Sequence, residues 1–180
     1  MTNSGKVQEA LRCFDEGISR DPKVPAFYFY KGNAHLSAGD LKQAEACYLK
    51  TIQLDPRHAQ AHVNLGTTYM QMQEWEKAIE YLDAATQLQP ENGMAYSNMG
   101  TCFGEMENHE EAVECFRTAL NYIPNDFETL YFLGVSLMNL EEYVDALEQF
   151  EEALLQKEDA LCYLNKAYCE HVLGEHEDAT

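Results

Sequence analysis

Positive charge is scarce in this sequence. It carries 12 Lys and Arg residues against 31 Asp and Glu residues, which gives a formal net charge of −19. Such a surface repels nucleic-acid phosphates and anionic lipid headgroups, so we expect neither nucleic acid nor a membrane as a partner. The charge instead favours a protein or peptide partner that is neutral, basic or apolar.

Long apolar runs and an obvious targeting segment are also missing. No stretch approaches the ~20 apolar residues that a membrane-spanning helix needs. The opening residues, MTNSGKVQEALRCF, lack the basic segment and the apolar core of a secretory signal peptide. We therefore expect a cytoplasmic protein, unless a leader has been removed.

Recognisable catalytic motifs are missing as well. The sequence has no glycine-rich phosphate loop, nucleophile elbow or Ser/His/Asp arrangement that stands above background. We therefore expect no enzyme activity, no catalytic residues and no cofactor. Hydrophobic residues nevertheless make up 46% of the 180 residues, so an ordered core is expected.

What the sequence does contain is a repeat of 34 residues. The stretch AHVNLGTTY at 61–69 recurs at 95–103 as AYSNMGTCF, with the same or a similar residue at most positions. Three residue types keep the same period along the chain. The prolines are Pro22, Pro56, Pro90 and Pro124. The glycines are Gly32, Gly66, Gly100 and Gly134. The alanines are Ala44, Ala78, Ala112 and Ala146.

This pattern resembles the tetratricopeptide repeat, which reads W-x2-L-G-x2-Y, then A-x3-F, then P. HVNLGTTY at 62–69 leads to Ala78 and Pro90, and YSNMGTCF at 96–103 leads to Ala112 and Pro124. The match recurs in register over almost the whole chain. The resemblance implies an all-α fold, a right-handed superhelical solenoid of helix hairpins, in which each hairpin buries its apolar face against its neighbours.

The period predicts a single repeat array over 1–180. Its parts are a second helix of a partial repeat at 1–24, full repeats at 25–58, 59–92, 93–126 and 127–159, and a partial repeat at 160–180. EHED at 175–178 is typical of a helix start. The preceding helix has apolar side chains with little to cover them, namely Leu161, Leu164, Tyr168 and Val172. We therefore expect a fragment of a longer repeat protein; an end covered by a partner or a second copy is the alternative.

The repeated positions have a physical basis. Gly and Ala are small where two helices cross closely, ring residues fill the gap beside them, and proline ends the second helix of each hairpin. Cys13, Cys47 and Cys115 share the period, just before the large residue of an Ala-x3-Phe/Tyr pattern. This spacing predicts reduced cysteines that pack as small hydrophobic residues.

Two clusters could suggest a metal site. His58 and His62 are four residues apart, but His58 is expected at a turn between repeats and His62 at a ring position. Cys162 and Cys169 lie two helical turns apart, too far to bind one ion without distortion, although two histidines follow them. We therefore expect no metal.

In proteins of this family the first helix of each hairpin lines a concave face, so the resemblance implies a groove here. The side chains expected in it are almost free of charge, apart from Glu105 and Glu128. An uncharged groove with amides and rings suits an extended peptide. The residues predicted to contact the peptide are Asn33, Asn64, Asn98, Asn165, Phe29, Tyr30, Thr67, Thr101, Tyr131 and Phe132.

The asparagines are the sharpest part of this prediction. An amide side chain offers donors and an acceptor, as a peptide backbone does. It can therefore bind the backbone of a peptide whatever the peptide's sequence. HVNLG and YSNMG resemble repeats of the O-GlcNAc transferase superhelix, in which an inner asparagine ladder holds substrate polypeptide. The resemblance assigns that role to Asn64 and Asn98, and also to Asn165. The alternative is that these asparagines are only tolerated on half-exposed helices, and that the rings are partly core.

A carboxylate-binding groove is not expected. Tetratricopeptide domains that bind the acidic C-termini of Hsp70 and Hsp90 use a clamp of inner lysines, an arginine and asparagines. The corresponding positions here hold Phe29, Val63, Gln60 and Asn64. Because no cation is available to pair with a carboxylate, an Hsp70 or Hsp90 C-terminal peptide is not an expected ligand.

Three functions remain. The leading one is a non-enzymatic protein–protein interaction scaffold that binds an extended peptide or protein segment in the concave groove. The second is a substrate-targeting module of a larger enzyme, which the length of the full gene would reveal. The third is a secretion chaperone that shields hydrophobic translocators, although such chaperones usually have three repeats and this array is longer.

Overall fold

The computed structural model describes residues 3–178, and the side chains of residues 7–174. This part of the chain folds into helices joined by short turns and contains no strand. The helices are α1 (Asn3–Arg20), α2 (Pro25–Ser37), α3 (Leu41–Leu54), α4 (Ala59–Gln71), α5 (Trp75–Leu88), α6 (Gly93–Glu105), α7 (His109–Leu120), α8 (Phe127–Asn139), α9 (Tyr143–Gln156) and α10 (Ala160–Asp178). The all-α fold that the sequence predicts is therefore confirmed.

The helices form two compact units, which divide after Pro90. The first unit contains α1 to α5, and the second contains α6 to α10. Helices pair as hairpins, α2 with α3, α4 with α5, α6 with α7 and α8 with α9. We call α2, α4, α6, α8 and α10 the first helices and the others the second helices. Four first helices begin 34 residues apart, at residues 25, 59, 93 and 127. Neighbouring first helices also contact each other within a unit, α2 with α4, α6 with α8 and α8 with α10.

Each hairpin packs tightly at a glycine of its first helix. A Cβ atom placed on this glycine would lie only 2.6 or 2.7 Å from a side chain of the second helix. The close pairs are Gly32 with Tyr48, Gly66 with Leu82, Gly100 with Phe116 and Gly134 with Phe150. The second helix brings a fully buried alanine to the same region in Ala44, Ala78, Ala112 and Ala146. The small residues therefore let a large side chain fill the space between the two helices.

The turn inside each hairpin contains one residue in the left-handed region. The φ angle is +79° at Gly39 and 59°, 62° and 63° at Gln73, Glu107 and Glu141. These four residues are 34 apart, so the backbone makes the same kind of turn four times. Because a non-glycine residue pays roughly 1–2 kcal/mol for this conformation, hairpin packing must offset that cost in three of the four turns.

The residues before α4, α6 and α8 cap these helices with side chains that accept a backbone N–H bond. The capping pairs are His58 with Ala61, Asn92 with Ala95 and Asp126 with Thr129, at 3.2, 3.1 and 2.9 Å. The segments before these helices contain the regularly spaced prolines Pro56, Pro90 and Pro124. The cap and the proline together define where one hairpin ends and the next begins.

Two details differ from the expectation. The helix α10 runs to Asp178, so EHED at 175–178 continues a helix instead of starting one. Cys13 is exposed although Cys47 is buried, because α1 packs against α2 alone among the described helices.

Of the four apolar side chains that the sequence predicts to be uncovered on α10, three are exposed and Val172 is half-buried. Leu161, Leu164 and Tyr168 are 61%, 64% and 51% exposed.

None of the described helices combines the length and the apolar character needed to cross a bilayer.

Candidate functional site

A chain of hydrogen bonds connects three helices of the first unit. The Tyr48 hydroxyl on α3 donates to Oδ1 of Asn33 on α2 at 2.7 Å. Nδ2 of Asn64 on α4 donates to the same oxygen at 2.8 Å. Nε2 of Gln60 then donates to Oδ1 of Asn64 at 2.9 Å. We call these four residues the amide chain. It brings together Asn33 and Asn64, which the sequence predicts on one binding surface.

Burial keeps Tyr48 in the form that donates. Its side chain has 0% exposure, and burial raises the pKa of its phenol from 10.0 to about 12. The hydroxyl is protonated at neutral pH, as an ordinary phenol is, and burial keeps it protonated to higher pH. With one bond from Tyr48 and one from Asn64, both lone pairs of the Asn33 oxygen are occupied. The core of the hairpin thus fixes the orientation of a polar group on its first helix.

Asn64 is held in place and still has binding capacity. It is half-buried, and the amide chain uses one of its two N–H groups and one of its two Oδ1 lone pairs. The other N–H and lone pair match the C=O and N–H of an extended backbone. Because the amide is already oriented, this side chain loses less conformational entropy when a ligand binds.

The two predicted rings of α2 have different surroundings. The Phe29 ring is 9% exposed and packs 6.1 Å from the Tyr48 ring and 4.6 Å from the His58 ring, measured between centroids. It therefore belongs to the core of the first unit. The Tyr30 ring is 54% exposed and stacks on Phe14 at 6.4 Å. Of this pair, Tyr30 is the ring that a partner can reach.

Rings also occupy the first helices of the second unit. Tyr131 is half-buried on α8, with its ring 6.1 Å from Phe127 and 6.0 Å from Phe150. Nδ2 of Asn165 on α10 donates to the Tyr131 hydroxyl at 3.3 Å, so these two predicted residues lie together. The neighbouring Phe132 is 38% exposed.

The remaining predicted residues are polar and half-buried. Asn98 lies on α6, and Thr67 and Thr101 lie on α4 and α6. The hydroxyls of Thr67 and Thr101 donate to the carbonyls of Val63 and Ser97, four residues earlier, at 3.0 and 3.1 Å. Each hydroxyl proton is therefore used within its own helix.

A cleft opens beside Phe132 in the second unit, between α6, α7 and α8. Its volume is about 120 Å³. The apolar side chains that line it are Phe116, Phe132 and Val135. The polar ones include Thr101, Glu105 and His109. The ring of Phe132 stacks on that of Phe116 at 6.4 Å between centroids. The predicted residues Thr101 and Phe132 are thus brought together at one cleft.

The buried and half-buried thiols do not form a reactive centre. Burial raises the pKa of Cys102 to about 12 and that of Cys115 to about 11. It also raises the pKa of Cys47, Cys162 and Cys169. These five thiols are protonated at neutral pH, and a protonated thiol is a poor nucleophile and a poor metal ligand.

The histidines near α4 have structural contacts. His58 caps the helix, and Nε2 of His62 donates to the Pro56 carbonyl at 3.1 Å. Elsewhere in the described part of the chain, no three His, Cys, Asp or Glu side chains are grouped as metal ligands. The chemistry that the first helices offer is hydrogen bonding by amides and apolar contact by rings.

Sequence reasoning missed the contribution of Gly104 and His109 to the cleft. A signal was present in the 34-residue register, where the position of Gly104 is held by Leu36, Met70 and Met138 in the other repeats. Sequence reasoning also treated Tyr48 only as a packing residue, although its hydroxyl orients Asn33. The corresponding position in two other hairpins is a phenylalanine, which has no hydroxyl.

Comparisons with known proteins agree with this repeat organisation. Models of the tetratricopeptide repeat match residues 57–124 and 97–161, and a TPR repeat model matches residues 32–73. A search of curated proteins found no match.

Solved structures resemble the chain in fold. PilF of Pseudomonas aeruginosa is 21% identical, with 97% of this chain and 80% of that chain covered at a TM-score of 0.85. YrrB, described as a TPR protein with an unusual peptide-binding site, is 24% identical, with 92% and 86% covered at a TM-score of 0.80. MamA of Desulfovibrio magneticus RS-1 is 23% identical, with 86% and 87% covered at a TM-score of 0.79. The three repeat models, which together match residues 32–161, show that this chain belongs to the tetratricopeptide repeat proteins.

Proposed function

We propose that this chain is a non-enzymatic scaffold that holds an extended segment of another protein against its first helices. The tetratricopeptide fold is in general a protein-interaction module, and the observation that carries the proposal is the amide chain. An oriented, half-buried amide on a first helix is suited to bind the backbone of a partner segment.

The strength of this contact is modest. A hydrogen bond between an amide and a peptide backbone contributes about 0.5–1.5 kcal/mol net. Several such bonds and a few ring contacts together give an affinity in the micromolar range, about −8 kcal/mol. Binding of this kind depends on several residues, so we assign it to Asn33 and Asn64 in the first unit and to Asn98 and Asn165 in the second.

Rings supply the apolar part of the contact. Tyr30 in the first unit and Phe132 in the second are exposed by 54% and 38%. Aromatic side chains of this kind often provide the largest single contributions at protein interfaces. Tyr131, Thr67 and Thr101 complete the proposed contact surfaces, and Phe29 supports Tyr30 from the core at 5.3 Å between ring centroids.

Charge restricts the partner. With a net charge of −19, the chain repels acidic segments and attracts basic ones. The proposed ligand is therefore a neutral, basic or apolar peptide segment. The peptide-binding site for which YrrB is described shows that a protein of this fold can bind a peptide, which supports the proposal.

The test compares two matched pairs of amides. A peptide is selected from a random displayed library on the full chain and is then titrated, as a synthetic peptide, against two double variants. Asn64→Ala with Asn98→Ala removes amides from the first helices. The control, Gln53→Ala with Gln87→Ala, removes exposed amides from the second helices α3 and α5, also 34 residues apart.

The expected result is a roughly tenfold weaker affinity for the asparagine pair, which corresponds to the loss of about two hydrogen bonds. The glutamine pair should bind as the unchanged protein does. Helicity by circular dichroism should be the same in all three. Normal binding by the asparagine pair, or an equal loss in both pairs, would contradict the proposal.

A further inference from the structure

The cleft of the second unit has an unusual cause. The cleft lies beside one position of α6. The equivalent residues of the other hairpins have large side chains, namely Leu36, Met70 and Met138. Here the position is Gly104, and the space that a methionine side chain would occupy contributes to the open cleft of about 120 Å³.

Packing does not require a glycine at this position. A Cβ atom placed on Gly104 would have Ser136 Oγ, at 4.0 Å, as its nearest neighbour. At Gly100, one turn earlier, the same atom would lie 2.7 Å from the Phe116 ring. Gly104 lies within α6 and has no left-handed φ angle. Glycine destabilises a helix relative to alanine, so Gly104 weakens α6 locally. The absence of a side chain leaves open space beside the helix.

We propose that this cleft receives one methionine or leucine side chain of a bound protein segment, next to a lysine or arginine of the same segment. This inference rests on the proposed function, and it specifies which side chains of the bound segment the scaffold selects. Phe116, Phe132 and Val135 provide an apolar lining. The volume is close to that of the ~150 Å³ apolar cavity that holds one benzene molecule, so an aliphatic side chain fits and a tryptophan is too large.

The charge at the cleft selects the residue that lies next to the inserted side chain in the bound segment. Glu105 lines the cleft and is exposed to solvent. A lysine or arginine beside the inserted side chain can pair with this carboxylate, whereas an acidic residue would be repelled by it and by the net charge of −19.

His109 adds a polar side chain to the lining of the cleft. The open space at Gly104, the apolar lining and the carboxylate of Glu105 therefore point to the same occupant, an aliphatic side chain next to a basic residue.

The test uses an array of synthetic extended peptides on the full chain. A central methionine, leucine, alanine or tryptophan is flanked either by lysine or by glutamate. The matched variants are Gly104→Met, which restores the residue of two other repeats and fills the cleft, and Gly104→Ala, which adds only a Cβ atom where there is room. Glu105→Gln removes the charge at the cleft without changing the space.

We expect the lysine-flanked methionine and leucine peptides to bind at least about tenfold more tightly than the alanine, tryptophan and glutamate-flanked peptides. Gly104→Met should weaken their binding about tenfold, while Gly104→Ala changes it less than about threefold. Gly104→Met should melt at the same temperature as the unchanged protein or higher, which excludes unfolding as the cause. Glu105→Gln should remove most of the preference for lysine over glutamate.

The outcomes separate this inference from the proposed function. If peptides bind and depend on Asn64 and Asn98 but not on Gly104→Met, the cleft is not the site, and the scaffold proposal stands. Equal binding of all central residues, or of lysine-flanked and glutamate-flanked peptides, also overturns the inference. If no peptide of either the array or the random library binds the unchanged chain, both proposals fail.

Discussion

The two units carry the same repeat and present different surfaces at equivalent positions. In the first unit, Asn33, Tyr48 and Asn64 share hydrogen bonds of 2.7 and 2.8 Å. Sixty-eight residues later, two repeats on, the same positions are Thr101, Phe116 and Phe132. There the two rings stack at 6.4 Å, beside an open cleft. One backbone pattern therefore supports a network of polar side chains in one unit and an apolar cleft in the other.

The difference arises at positions that the repeat does not constrain. Gly32 and Gly100 have the same close contact, since a Cβ atom on either would lie 2.7 Å from a ring. The adjacent positions are free to vary. Leu36 becomes Gly104 and Asn64 becomes Phe132 without any change in the length of the corresponding helices α2, α6, α4 and α8. The comparison separates residues that form the hairpin from residues that differ between repeats without changing it.

The largest expected effect comes from breaking the shared hairpin contact. Gly66→Ala in the first unit and Gly100→Ala in the second each place a Cβ atom within 2.6 or 2.7 Å of a buried side chain. Overpacking of this kind costs typically 1–3 kcal/mol. We expect both variants to lose about that much free energy of unfolding, measured by urea denaturation.

Gly104→Ala is the matched control for this experiment. It lies in the same helix as Gly100, but its Cβ atom has room, so replacing glycine by alanine should raise the free energy of unfolding by up to about 1 kcal/mol. If all three substitutions had the same sign of effect, the distinction between hairpin positions and surface positions would be wrong.

A smaller effect is expected from making the first unit resemble the second. Tyr48→Phe removes the hydroxyl that donates to Asn33 and introduces the residue found at Phe116 and Phe150. The loss of one hydrogen bond should reduce the free energy of unfolding by about 1 kcal/mol at neutral pH. Tyr30→Phe, at an exposed ring, is the control and should be within about 0.5 kcal/mol of the unchanged protein.

The pH dependence sharpens the Tyr48 prediction. Burial raises the pKa of its phenol from 10.0 to about 12 in the folded chain. The unfolded phenol therefore ionises first, so the contribution of Tyr48 to stability is present below pH 10 and is lost as the pH rises toward about 12. Tyr48→Phe should flatten the fall of stability over this window, and Tyr30→Phe should not. An identical alkaline slope in all three proteins would contradict the role of the buried hydroxyl.

The repeated frame could be predicted from the sequence because it depends on residue size at a fixed period. Small residues at Gly66 and Ala78 indicate a close helix crossing, and the period makes the pattern visible above chance. The position of Asn64 on a first helix follows from the same register. The sequence does not give the orientation of the amide, since this depends on Tyr48 and Asn33, which approach Asn64 from two other helices.

Features that depend on an unusual backbone or on missing volume were harder to predict. The left-handed turn is signalled at Gly39 but not at Gln73, Glu107 or Glu141, where hairpin packing overrides the preference for glycine. The cleft depends on the absence of a side chain at Gly104, which reads as an ordinary helix residue until the repeats are aligned.

Burial differs from the prediction at two positions. Phe29 has the spacing of a contact residue, yet its ring is 9% exposed because it packs between Tyr48 and His58. Cys13 has the spacing of a packing residue, yet it is exposed. Periodicity identifies the face of a helix, but burial depends on which neighbours cover that face.

The most direct test is the NMR spectrum of the side-chain amides during titration with a peptide selected on the full chain. If the first helices hold the segment, the amide signals of Asn33, Asn64 and Asn98 shift with the peptide concentration, and those of Gln53 and Gln87 on the second helices stay in place. Shifts confined to Gln53 and Gln87, with the asparagine signals unchanged at saturation, would contradict the account.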